Sequence, residues 1–367
     1  MQHQKTDWLL SAPVSATNSK AETALFPFLA RLIRGEDLMA TEAANFYRAL
    51  TDISANPAQI AGALTALTAK GETHSELAGM ASVMREQSVR IKATQKNAVD
   101  ITGTGSSTAK TFNVSTAAAF VAAGAGLMIA KQSNRGVTST TGSADVLGEL
   151  GVKVAGESAV AQTSLSGVGL CFLFAPKFHP ALRRVGDVRR ALGIRTCLNL
   201  LGVLANPAAI SRQLIGVWHD SLVVPVANAL AMLKTDRAWV VHGADGLDEI
   251  TIAGETHVVE IIGSETRKFI LTPKDFGLKA GSTANLKAAN AKESAKIIRE
   301  VLASRRRDEA RSIVVMNAAA ALVIGGVAKD PLHAARLAEQ SIDSGQAQNK
   351  LERLIQTTNK KPVNGSQ

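Results

Sequence analysis

The sequence predicts an α/β protein: a small N-terminal all-helical domain followed by a larger α/β domain with a mainly parallel sheet flanked by helices. Three observations carry this reading. Residues 25–95 show helical periodicity only. From Val99 onward, short apolar runs alternate with helical stretches, the pattern of strands laid parallel through helical crossovers. The last two strand candidates, Val258 to Ile262 and Lys268 to Leu271, argue for antiparallel additions late in the chain.

Taken in order, residues 1–24 are polar and aperiodic and are expected to form a flexible arm. Asn56-Pro57 supplies an N-cap and a first-turn proline, Ile60, Leu64 and Leu67 recur at helical spacing, and Gly71 stops the helix. Thr73 and Glu76 form a capping-box pair ahead of Leu77, Met80 and Met84 on one face. Helices from about 195–235 are expected to join this domain. The α/β domain, 96–357, opens with a strand at Val99-Asp100-Ile101, which runs through Gly103-Thr104-Gly105 into an Ala-rich helix after Ser115. A second strand, Leu127 to Ala130, leads into a polar loop from Lys131 to Gly142 and a helix opening at Ser143. Leu170 to Phe174 and Trp239 to His242 are further strands. Residues from Glu293 to about Ile355 are helical, and 358–367 form a flexible tail.

With 46% apolar residues in 367, the chain can bury cores for two domains of about 100–200 residues each. Ala117 to Ala130 and Ala318 to Val327, its longest apolar stretches, fall short of the ~20 residues a bilayer span needs. Ser11 and Pro13 interrupt Trp8-Leu9-Leu10 before a signal core can form. A cytoplasmic protein without a membrane partner is therefore expected. Cys171 and Cys197 lack metal or redox spacing, which suits two free thiols in a reducing compartment. The net charge of +10 favours an anionic partner, either nucleic acid or a small phosphorylated substrate. Aromatic residues make up only 4% and are not interleaved with the basic runs, so a single-strand stacking surface is disfavoured. Arg305-Arg306-Arg307 reads best as a solvated helix end, while Arg183, Arg184, Arg189 and Arg190 cluster in one segment.

Several segments carry candidate chemistry. Gly103-Thr104-Gly105-Ser106-Ser107 ends a strand, where glycines let backbone N–H groups approach an anion, although a tight turn would look the same. Asn113-Val114-Ser115-Thr116 then puts an amide and two hydroxyls at a helix start, where free N–H groups and the dipole favour phosphate; plain N-capping by Ser115 or Thr116 competes. Next, Lys131-Gln132-Ser133-Asn134-Arg135-Gly136-Val137-Thr138-Ser139 places two cations, an amide and hydroxyls directly after a buried strand, on the side of an α/β sheet where ligands bind. Finally, His242-Gly243-Ala244-Asp245-Gly246-Leu247-Asp248-Glu249 sets adjacent carboxylates past another strand. Such hard oxygen ligands suit Mg²⁺ shared with substrate phosphates, and a surface acidic turn is the alternative. His242 itself reads as structural.

These motifs, in this order, resemble the anthranilate phosphoribosyltransferase family over nearly the whole chain. Arg34 to Leu38, Ala69 to Thr73, Phe178 to Ala181, Val188-Arg189-Arg190, Leu192 to Thr196, Asn199 to Gly202, Asn206-Pro207, Leu271 to Gly277, Asn317 to Ala320 and Ile342 to Gly345 extend the match. The resemblance implies a helical domain hinged to an α/β domain, a homodimer, and transfer of a phosphoribosyl group from phosphoribosyl pyrophosphate (PRPP) to the amine of anthranilate, with Mg²⁺. By that analogy Gly103, Ser106, Ser107, Thr111, Asn113, Val114, Ser115, Thr116, Lys131, Asn134, Arg135, Ser139 and Ser143 hold PRPP. Ser115, Asp248 and Glu249 match the family's magnesium positions, and Gly103, Asn134 and Arg189 line the acceptor site.

Three places depart from the family. Ser106-Ser107 stand where it has Gly-Asp, Gln132-Ser133 where it has His-Gly, and Val203 where it has Pro. The histidine and proline belong to the family's acceptor channel, so two alternatives stay open: a paralogue acting on another aromatic amine or nitrogen heterocycle, and a non-enzymatic nucleic-acid-binding protein on the same fold. The second is opposed by the acidic pair, because a nucleic-acid surface gains nothing from carboxylates.

Overall fold

The structure is a computed structural model that describes residues 24–105, 107, 109, 111–136, 141–154 and 156–360. All but the last residue of the expected N-terminal arm lies outside these, as do Ser106 and Ser139.

The chain opens with four helices, α1 (Phe26–Ile33), α2 (Ala40–Leu50), α3 (Pro57–Lys70) and α4 (His74–Glu86). Their starts follow the local signals. Asn56 Oδ1 accepts the Ala58 N–H ahead of α3, and Thr73 and Glu76 form the reciprocal capping box of α4. Strand β1 (Val99–Gly103) follows, then α5 (Val114–Gly124), β2 (Ile129–Ser133), α6 (Ser143–Glu149), α7 (Ser158–Val168), β3 (Leu170–Phe174) and the short α8 (Ala175–Phe178). Helices α9 (Leu182–Leu192) and α10 (Cys197–Leu204) return to the first unit. Thereafter come β4 (Arg212–Gly216), α11 (Val223–Met232), β5 (Arg237–Gly243), β6 (Thr256–Ile262) and β7 (Glu265–Leu271), and α12 (Ala291–Leu302), α13 (Glu309–Ile324), α14 (Pro331–Asp343) and α15 (Gln346–Asn359) close the chain.

Two compact units result: one holds the described residues up to Ser88 with His179–Ala205, the other Val89–Phe178 and the described residues from Asn206 on. The helices expected to join the first unit from about 195–235 are thus divided. Only α10 and the residues to Ala205 do so, whereas α11 packs on β5, β6 and β7 of the second unit.

The second unit is built on one seven-stranded sheet in the order β3-β2-β1-β4-β5-β6-β7. Its first five strands are parallel, and β6 and β7, the antiparallel additions that the sequence predicts, lie at the edge. Strand β4 was not expected. Its apolar content is only Leu214 and Ile215, and the preceding positions are polar: Gln213 is fully buried, and Arg212 pairs with Asp236 at 2.7 Å. The Ala-rich α5 and the long α13 are buried almost throughout and pack on each other, because small side chains let two helices approach closely. At the C-terminus α15 runs to Asn359, into the stretch expected as tail, because Asn359 Nδ2 bonds the Gly151 carbonyl at 2.8 Å.

Candidate active site

Strand order reverses at β1, with β2 and β3 on one side and β4 and β5 on the other. The carboxyl ends of β1 and β4 therefore border the crevice where open α/β sheets take ligands. The acidic turn after β5 lies against both ends. A Cβ on Gly103 would stand 2.8 Å from Asp248 Oδ2, and one on Gly216 1.7 Å from the Asp248 carbonyl oxygen. Only glycine leaves room for this approach.

Each carboxylate of the turn is gripped by a different segment. Asp248 Oδ2 accepts the Gly105 N–H at 2.7 Å, and Glu249 Oε1 accepts the Ser115 N–H at 3.2 Å. Behind them, Asn317 of α13 makes a reciprocal pair with Ile250: its Oδ1 accepts the Ile250 N–H and its Nδ2 donates to the Ile250 carbonyl, both at 3.0 Å. Thr251 Oγ1 donates to Asp245 Oδ2 at 2.7 Å and closes the turn. His242 is structural, with Nδ1 bonded to the Val217 carbonyl.

Lys131 is not on a loop. It lies within β2, is only 2% exposed, and its Nζ donates to the Ile101 carbonyl and to Ser115 Oγ. Burial pushes its pKa down, and burial likewise pushes the Asp248 carboxyl up. Glu249 rises to about 8, chiefly through burial and then through repulsion by Asp248. All three groups are thus shifted toward neutrality.

The start of α5 also differs from expectation. The helix begins at Val114 with Asn113 at the N-cap, and no side chain caps it. Its first N–H groups are occupied: Val114 bonds Phe112 O at 2.8 Å, Ser115 bonds Glu249, and Thr116 bonds Asn113 O at 3.2 Å. The fully buried Thr116 therefore presents no hydroxyl at the surface of the site.

On the adjoining strand end, Asn134, Arg135 and Ser143 come together. The Asn134 N–H points to Ser143 Oγ at 3.3 Å, and the Ala144 N–H bonds Asn134 O at 3.0 Å. Asp145 Oδ2 accepts N–H groups from Gly136 and Gly142 at 3.1 and 2.9 Å. The Arg135 guanidinium lies 5.9 Å over the Phe174 ring. Ser107 turns its hydroxyl onto the Ala109 carbonyl, and Thr111 is half-buried on the approach to α5. Arg189 belongs to the other unit, on α9, where its Nε is buried without a partner among the described residues and burial lowers its pKa.

Several residues that shape the site were given no site role by the sequence. Besides Gly216 and Asn317, Asp100 is fully buried on β1, accepting the Gln132 N–H at 3.2 Å and Asn206 Nδ2 at 2.7 Å. Asn206 also bonds the Ala130 carbonyl, so the three groups tie β1 to β2 beneath the site.

Residues 95–348 match the a/b domain of the glycosyl transferase family, and residues 26–88 match that family's helical bundle domain. An anthranilate phosphoribosyltransferase from Chloroflexus aggregans is 44% identical over 328 residues, 89% of this chain and 96% of that protein. The chain belongs to the anthranilate phosphoribosyltransferase family. A second member, from Rhodospirillum rubrum, is 44% identical over 89% of this chain and 94% of its own. Among solved structures of the family, the Thermus thermophilus protein superposes with a TM-score of 0.85 at 36% identity, covering 91% of this chain and 99% of that one. A Saccharomyces cerevisiae member in complex with PRPP and Mg gives 0.84 at 28% identity, over 92% and 98%. Among the described residues no helix is long and apolar enough to cross a membrane.

Proposed function

We propose that the protein transfers the 5-phosphoribosyl group of PRPP to the amine of anthranilate and releases pyrophosphate. The observation that carries this reading is the adjacent pair Asp248–Glu249, held at the strand-order reversal by Gly105 and Ser115 with Lys131 buried beneath. The family relatives support it, among them one in complex with PRPP and Mg and one in complex with 4-fluoroanthranilate.

The donor set fits Mg²⁺. Two carboxylates and the Ser115 hydroxyl are hard oxygen ligands of the kind Mg²⁺ takes, sharing its remaining positions with substrate phosphates. Both carboxylates are shifted toward protonation by burial, a cost that a divalent cation offsets. When bound, Mg²⁺ neutralises charge on the pyrophosphate as it leaves.

The chain's own groups do the rest. Lys131 Nζ donates to Ser115 Oγ from beneath, and the Gly103–Gly105 turn brings backbone close to the donor. Asn113, Asn134 and Ser143 offer amide and hydroxyl donors to the phosphates, with Arg135 beside them. The bond from the ribose carbon to pyrophosphate breaks, the aryl amine's lone pair forms the new C–N bond, and the amine then loses a proton to solvent. An aromatic amine is uncharged at neutral pH, so alignment rather than a strong base is required. Arg189, with its unpartnered Nε, is the anchor for the acceptor carboxylate. The same reading includes a cytoplasmic homodimer.

The test is loss of anthranilate fluorescence on incubation with PRPP and Mg²⁺, with an Asp248→Asn, Glu249→Gln double variant as control. Turnover in the parent and none in the variant is expected. Mg²⁺-dependent PRPP binding without turnover would redirect the assignment to another aromatic amine, in line with Gln132 and Val203 standing in place of the family's His and Pro. No PRPP binding would remove it.

A further inference from the structure

We infer that Ser294, on α12, is a positioning residue for the PRPP site and acts through Asn113; this rests on the reading of Asn113 as a donor-phosphate ligand. Ser294 is fully buried and lies 181 residues away in sequence, yet its hydroxyl engages Asn113 twice. Ser294 Oγ accepts the Asn113 backbone N–H at 3.0 Å and donates to Asn113 Oδ1 at 2.9 Å. The two bonds close a ring that fixes the side-chain torsions of Asn113.

Two facts show that this ring does more than satisfy a polar group. Asn113 occupies the N-cap position of α5, where an asparagine side chain ordinarily turns back to accept a first-turn N–H, and here it does not. Its Oδ1 is instead held by Ser294 and, at 3.4 Å, by Thr141 Oγ1. With two hydroxyls donating to the oxygen, the amide orientation is set by the network, and Nδ2 is the group turned outward. Ser294 thus converts a helix cap into a preset donor aimed at an anion beside Ser115. Without the serine, nothing fixes the torsions of Asn113 and its donor is free to swing away.

The experiment measures PRPP affinity by calorimetry with Mg²⁺, and steady-state constants for both substrates, in the full-length protein. Ser294→Ala is expected to raise KM and Kd for PRPP about 10- to 100-fold, the worth of a hydrogen bond to a charged group. The KM for anthranilate and the kcat stay within about threefold, because the lost contact is to the donor in its ground state as well as in the transition state. Asn113→Ala should show the same split, and Asn113→Ala with Ser294→Ala should be no worse than Asn113→Ala alone. Ser294→Cys, which keeps the volume and weakens the hydrogen bonds, carries the test if the alanine variant does not fold. Parent-like PRPP affinity in the serine variants, or fully additive losses in the double variant, would overturn the inference. A parent protein that does not bind PRPP would instead remove the donor reading itself.

Discussion

Gly216→Ala is the sharpest test of how the acidic turn is held. The added methyl carbon would lie 1.7 Å from the Asp248 carbonyl oxygen and 2.4 Å from its carbon, where ordinary contact begins at 3.4 Å. The obstacle is backbone on both sides: Gly216 O accepts the Thr104 N–H at 3.0 Å, and Ile250 beyond Asp248 is pinned by Asn317. Relief therefore requires the turn to move outward by about 1–2 Å, enough to break the 2.7 Å bond from Gly105 to Asp248. Displacements of about 1 Å in a positioning element cost on the order of 100-fold in rate, and overpacking of this kind costs about 1–3 kcal/mol. The assay is kcat/KM for PRPP across a Mg²⁺ titration, with urea unfolding alongside. Gly148→Ala on α6 is the control, since a methyl group there meets nothing within 4 Å; it should retain activity and gain up to about 1 kcal/mol. A Gly216→Ala protein with parental kcat/KM, Mg²⁺ dependence and stability would refute the account of Asp248 as wedged between two strand ends.

Two other outcomes are expected. Asn317→Leu keeps the volume but leaves the Ile250 N–H and carbonyl unpaired in the core, so urea unfolding should report a loss of about 2–4 kcal/mol and Mg²⁺ titrations a weaker metal response. His179 is 2% exposed and burial lowers its pKa to about 4, below the unfolded value of 6.5, so its contribution is complete above pH 6.5 and is lost as pH falls through that interval, about 3 kcal/mol in all; in denaturant titrations His179→Phe should flatten this acid limb, and an unchanged limb would show that other groups produce it.

Much of this architecture was legible in the sequence because its signals are local. The capping box at Thr73 and Glu76, the helix after Asn56-Pro57 and the apolar runs of β3, β5, β6 and β7 depend on neighbours within a few residues. The sites of error are those where distant residues change the meaning of a local pattern. Lys131, Gln132 and Ser133 look like loop residues by polarity, yet they complete β2 because Asp100 accepts the Gln132 N–H and Ile101 O accepts from Lys131. Strand β4 has too few apolar residues to announce itself and is fixed by its place between β1 and β5. The acidic pair was visible as a motif, but its grip by Gly105, Ser115, Gly216 and Asn317 spans most of the chain and has no short-range signal.

The energetics of the site favour a ligand as the reason for its construction. A buried lysine and two adjacent buried carboxylates, all pushed toward neutrality, contribute little to folding, and apolar groups of similar size would pack at lower cost. The surroundings nevertheless commit two close-approach glycines, the reciprocal bonds of buried Asn317 to Ile250 and the Ser115 N–H of α5 to holding these groups in place. Such an arrangement is stable to selection only if something bound there uses it. A polyanion alone would be repelled by the carboxylates, and a cation alone would leave Lys131 without a purpose. A divalent cation carried in with a diphosphate satisfies both signs at once, in keeping with the proposed binding of PRPP with Mg²⁺. In the proposed acceptor channel, Gln132 can change without disturbing the bond from its N–H to the Asp100 carboxylate, since that bond does not use its side chain. Donor binding and acceptor choice can therefore diverge independently, and Gln132→His should alter the KM for anthranilate while leaving that for PRPP within about twofold, because an exchange of this buried side chain that leaves the proposed donor contacts intact changes only the acceptor's share of the binding energy.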